Sequence, residues 1–85
     1  MSKLQEKRKA AGMSQSQLAK ASGVGLQVLQ QYEQGTRKID GARLETLLKF
    51  SIALNCSISE IIEGEELADL LRKYKRNKSP KKSKK

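Results

Sequence analysis

The chain has 85 residues, 18 Lys or Arg, 9 Asp or Glu and a net charge of +9, with no His, no Trp and a single Cys. Those counts exclude His-based acid–base chemistry, His or multi-Cys metal ligation and an internal disulfide framework, so neither a cofactor nor a metal is expected and the chain is not read as an enzyme. No apolar run approaches the ~18 residues that a bilayer requires, and the N-terminus lacks a signal-peptide core; a single small, cytoplasmic, helical binding domain is the expectation.

The first helix is expected over Lys3–Ala11, where Leu4, Arg8 and Ala11 share a face and Gly12 stops the run. Ser14-Gln15-Ser16-Gln17 reads as a capping box: the Ser14 hydroxyl accepts the Gln17 amide, and the Gln17 side chain reaches back. It opens a helix to Ser22, with Leu18 and Ala19 inward and Gly23 free to take a positive φ. A third helix follows over Gly25–Gln34, with Leu29 and Tyr32 inward and Gly35 closing it.

Thr36–Ile39 is a basic loop, and Asp40 is the expected N-cap of a fourth helix that ends at Asn55. That helix carries two apolar stripes, Leu44, Leu47, Phe50/Ser51 and Leu54 on one and Leu48 and Ile52 on the other, so it should meet more than one partner. Ser57-Ile58-Ser59-Glu60 is a second capping box opening a one- to two-turn helix through Ile61 and Ile62. A last amphipathic helix is expected over Glu65–Arg76, acidic at its start and basic at its end in accord with the macrodipole. Its face Leu67, Leu70, Leu71 and Tyr74 has three open readings: packing on the Leu48/Ile52 face of its own chain, a two-fold dimer contact, or docking of another protein. Residues 77–85 have nothing apolar to bury and read as a disordered Lys-rich tail, either a solubility device or an arm adding phosphate contacts.

Charge is divided unevenly along this order. From Arg72 to Lys85 there are nine basic residues and no acid, which leaves the first 71 residues neutral, with nine of each sign. The net charge is therefore a property of the C-terminal end, and Lys3, Lys7, Lys9 and Lys20 read as a solvated face. Cys56, next to the Asn55 cap, reads as a buried and inert thiol.

Two short helices joined at Gly23–Val24 have the proportions of a helix-turn-helix. Small Ala19 lets the helices approach, Gly23 permits the turn, and Val24 and Leu29 plug the angle. Ser14-Gln15-Ser16-Gln17-Leu18-Ala19-Lys20-Ala21-Ser22-Gly23-Val24, then Leu29, then Tyr32-Glu33-Gln34-Gly35, resembles the Cro/C1-type (phage-repressor-like, XRE) helix-turn-helix family, and the similarity runs from about Leu4 to Ile62. The resemblance implies an all-α, five-helix DNA-binding domain over residues 1–64, with the 65–76 helix and the tail appended.

It also implies roles. The helix after the turn lies in the major groove, with Leu26, Gln27 and Gln31 as base readers and Val28 and Gln30 beside them. With no Arg or Lys on that face, Gln–adenine pairs and apolar contacts to thymine methyls point to A·T-containing half-sites. Gln15, Gly25, Thr36, Arg37 and Lys38 match backbone-contacting positions, although Gly25 offers no capping side chain where relatives usually carry Ser, Thr or Asn. Arg8 and Glu33 match an internal salt bridge. The implied function is a sequence-specific regulator, a repressor that occupies double-stranded DNA as a homodimer in a bacterial or phage cytoplasm. Two alternatives on the same fold are a DNA-binding antitoxin with a toxin partner and, given Leu26 and Val28, a protein-interaction adaptor.

Overall fold

The structure is a computed structural model that describes residues 2–81, with side chains described for residues 2–74. It is all-helical over the described residues: α1 (Lys3–Ala10), α2 (Gln15–Ser22), α3 (Leu26–Gln34), a 3-10 turn (Ile39–Gly41), α4 (Leu44–Leu54), a second 3-10 turn (Ile58–Glu60) and α5 (Glu65–Lys81).

Local chemistry sets the helix ends. The Ser2 hydroxyl accepts the Gln5 N–H at 3.0 Å to start α1. Both halves of the Ser14/Gln17 box are made, at 3.1 and 2.8 Å, so the sequence signature fixes the start of α2. Asn55 ends α4 in the left-handed region at φ 54°, which its short amide side chain tolerates.

One core holds these elements together. Leu4, Leu18, Leu29, Phe50, Ile61 and Ile62 are fully buried, and Tyr32 meets Phe50 edge to face, with ring centroids 6.1 Å apart. The aromatic edge-to-face contact adds about 0.5–1.5 kcal/mol to the burial of the two rings. Each of α1, α2, α3 and α4 contributes at least one of these side chains, so the relative placement of α2 and α3 is locked by the whole domain.

Four expectations are corrected. Asp40 does not cap α4, whose N-cap is Arg43 without a side-chain bond. Asp40 instead lies in the 3-10 turn, and its carboxylate accepts the backbone N–H groups of Glu63 and Gly64, both at 2.7 Å. This explains Gly64 by close approach, because a Cβ there would sit 2.6 Å from the Asp40 oxygen. The helix expected through Ile62 closes as one 3-10 turn at Glu60, since burial of both Ile61 and Ile62 requires the chain to turn inward.

α5 does not cover the second stripe of α4. It turns Leu67, Ala68 and Leu71 onto the main core, while Leu48 is 44% and Ile52 79% exposed; Leu44, expected on the stripe of Leu47 and Phe50, is 64% exposed and falls instead on the outward side, four residues before Leu48. Finally, α5 continues to Lys81 beyond the expected end at Arg76, through Asn77, Ser79 and Pro80, which are poor helix formers, while Lys78 and Lys81 complement the negative end of the macrodipole. The rest of the expected tail, 82–85, lies outside the described residues. No helix among them is long and apolar enough to cross a membrane.

Candidate nucleic-acid interface

The bend between α2 and α3 is built from four residues. Gly23 takes φ 78° at the C-cap of α2, and its N–H bonds to the Ala19 carbonyl at 2.9 Å. Ser22 is buried, and its hydroxyl accepts the Val24 N–H at 3.2 Å, a turn-stabilising bond that sequence reasoning did not single out. Its signal is a Ser placed two residues before the first residue after the turn, and that pattern is too common to stand out alone. Val24 and Ala19 pack at the edge of the core, with Leu29 buried beneath them.

A polar network then ties α1, α2 and α3. Arg8 grips Glu33 through two guanidinium nitrogens, Nε to Oε2 at 2.7 Å and Nη2 to Oε1 at 3.1 Å, and its Nη1 donates to the Met13 carbonyl at 2.9 Å. The side chains are 9% and 2% exposed, which places the pair inside the fold. Gln15 Nε2 donates to Glu33 Oε1 at 3.0 Å, and Gln30 Nε2 donates to Gln15 Oε1 at 3.2 Å. The Gln15 side chain is thus held between Glu33 and Gln30 with one Nε2 hydrogen remaining, at the first turn of α2 whose amides can also face an anion.

The remaining assigned positions sort by direction. Gly25 opens α3 without a side-chain cap. Leu26 is 39% exposed, Gln27 is exposed, and Gln30 and Gln31 are half-buried, which leaves these four on the outward side. Val28 is half-buried like Gln30 and Gln31 and packs in part against the core. Thr36, Arg37 and Lys38 are exposed immediately after α3. The Thr36 hydroxyl and the Arg37 N–H both bond to the Gln31 carbonyl, at 3.3 and 3.2 Å, so the basic loop is folded back on the end of the helix. Arg37 also lies over the Tyr32 ring, 5.9 Å from its centroid, and donates from Nε to Gln31 Oε1 at 3.0 Å. Tyr32, 8% exposed, is a core side chain and not an open stacking platform.

Chemically, the arrangement offers amides, one leucine and two cations on a single helix-loop edge. No group of three His, Cys, Asp or Glu among the described residues is placed to hold a metal ion. Cys56 is half-buried, and burial, with Glu60 nearby, pushes its thiol pKa up, away from reactive thiolate character. The surface is suited to reading and holding a polyanion.

No curated protein and no solved structure matches the chain. Residues 4–61 match the helix-turn-helix family, and that span runs from Leu4 in the core of α1 to Ile61 beyond α4. With the turn, the outward α3 edge and the match in agreement over most of its length, the chain belongs to the Cro/C1-type, XRE-like helix-turn-helix family of DNA-binding regulators.

Proposed function

We propose that this chain is a sequence-specific repressor that occupies an operator as a two-fold dimer, with α3 in the major groove of each half-site. The observation that carries this reading is the edge of α3: exposed Leu26 and Gln27 and half-buried Gln31, with exposed Arg37 and Lys38 following the helix, on an element fixed by the buried Arg8–Glu33 pair. Base edges are met by the amides and the leucine, while Arg37, Lys38, Thr36 and the first turn of α2 hold phosphates.

Repression is the sign because occupancy alone suffices for it. Dimerisation is supported by apolar side chains left outward: Leu44, Leu48 and Ile52 on α4 and Leu70 on α5. Leu67 and Leu71, placed on the same face by sequence, are engaged with the chain's own core, so the α5 contribution narrows to Leu70 and Tyr74.

The test is selection of binding sites from a random duplex pool at low salt. The expected product is a pseudo-palindrome with half-site centres about 34 Å apart, one helical turn. A single unpaired site would remove the dimer, and recovery of no sequence preference would remove the specific-regulator reading.

A further inference from the structure

The side-chain amide of Gln31 is not free to choose which end it presents. Arg37 Nε–H is a donor with no acceptor capacity, so the Gln31 atom 3.0 Å from it must be Oε1. The assignment follows from the chemistry of the partner, independent of how amide oxygen and nitrogen are told apart. Arg37 is itself held in place by its N–H on the Gln31 carbonyl and by its stacking over the Tyr32 ring. Gln31 Nε2 makes no hydrogen bond among the described residues, so its two hydrogens remain available to a ligand.

Gln27, one turn earlier on the same edge, makes no side-chain hydrogen bond among the described residues and keeps both orientations. The two glutamines thus differ although their sequence type is the same. A free glutamine reads adenine in two bonds, accepting from N6 and donating to N7. A glutamine whose oxygen already accepts from an arginine keeps its second oxygen lone pair beside the guanidinium and meets a base through its amine. Guanine offers two adjacent acceptors, O6 and N7, whereas adenine would oppose the outward amine with its own N6 amino group.

We infer that Arg37 is a positioning residue that orients Gln31 to donate to its base, so that Gln31 selects guanine over adenine at its base pair while Gln27 remains the adenine reader. This rests on α3 being the groove-facing helix. It adds a G·C pair to the A·T-containing half-sites expected from the glutamines and apolar side chains, and it assigns to Arg37 a part in specificity beyond its phosphate contact.

The experiment uses the full chain and duplexes derived from its selected site, read by fluorescence anisotropy. The Gln31 base pair is the one where Gln31→Ala removes discrimination. There, wild type should favour guanine over adenine by about tenfold, within the range of a good base-edge contact. Arg37→Met, an exposed change, should weaken all duplexes together through the lost charge and, separately, bring the guanine-to-adenine ratio to about one or below. Gln31→Glu should move the preference to cytosine, because its second carboxylate oxygen then faces the groove as an acceptor for N4. Adenine preferred by wild type, no base pair dependent on Gln31, or a ratio unchanged in Arg37→Met would each overturn the inference and leave DNA reading by α3 standing. A chain that selects no motif would overturn that reading, and the inference with it.

Discussion

Replacing Arg8 by Met probes the bond that sets the helix-turn-helix in place. The substitution removes two hydrogen bonds to Glu33, at 2.7 and 3.1 Å, and the 2.9 Å bond to the Met13 carbonyl. Glu33, 2% exposed, is then a buried carboxylate with only Gln15 Nε2 as its remaining side-chain donor. Breaking one side of such a pair costs about 3–5 kcal/mol, because the surviving charge stays desolvated and uncompensated. A small domain has only ~5–15 kcal/mol in total. At roughly 4–8 °C per kcal/mol for this size of domain, the midpoint should fall by at least about 12 °C. Urea and thermal unfolding followed by circular dichroism measure it. The same logic makes the double change Arg8→Met with Glu33→Met much milder than the sum of the two single changes, since no unpaired charge is left. A loss under about 1 kcal/mol in Arg8→Met, or additive single costs, would refute the assignment of the pair as a buried and mutually dependent tie.

Acid should weaken the contact between α1 and the second 3-10 turn. Lys7 lies 2.7 Å from Glu60, and that bond, with the Ser57 N–H and hydroxyl, lowers the Glu60 pKa to about 2. A carboxylate with a depressed folded pKa contributes stability above its unfolded value and loses it as pH falls toward the folded one. The melting temperature should therefore decline between pH 4.5 and about 2, and Glu60→Gln or Lys7→Ala should flatten that part of the decline. Ser51→Ala should be neutral or stabilising by about 1 kcal/mol in urea titration, because the buried Ser51 hydroxyl has no hydrogen-bond partner among the described residues; a clear loss would contradict this. Leu48→Glu and Ile52→Glu should leave monomer stability within about 0.5 kcal/mol, as exposed changes do, while weakening binding to paired half-sites in anisotropy titrations. Unchanged paired-site affinity in these variants and in Leu70→Glu would count against a dimer through the outward leucines.

The helices were legible from sequence wherever the determining chemistry is local. Ser14 and Gln17 are three residues apart, and their reciprocal bonds start α2 where the sequence places it. Asn55 likewise carries its own reason to end a helix. Asp40 shows the opposite case: its type suits a local cap, yet the backbone of Glu63 and Gly64, more than twenty residues away, takes its carboxylate. A sequence window cannot rank those two uses, because both satisfy the same oxygens. The α4 stripes were visible as apolar spacing, but spacing does not say which face is covered within the chain, and Leu48 and Ile52 remain outward.

The site divides in the same way. Its position follows from the turn at Gly23, which is a short-range feature, and the pairing of Arg8 with Glu33 followed from family resemblance and not from spacing. The orientation of Gln31 toward Arg37 depends on a loop folding back over the end of α3, which nothing in the glutamine itself encodes. The +9 charge is concentrated after Leu71, while the first 71 residues are neutral.

The most direct test of α3 as the reading element is the ratio of specific to nonspecific DNA affinity in a chain carrying both Gln27→Ala and Gln31→Ala, measured across salt on the selected site and a scrambled duplex. With each base contact worth about 1–3 kcal/mol, the ratio should fall by roughly thirtyfold or more, while the salt dependence, set by phosphate contacts, stays as in wild type. A double variant that keeps its full specificity ratio would contradict the account and move base recognition to another surface of the molecule.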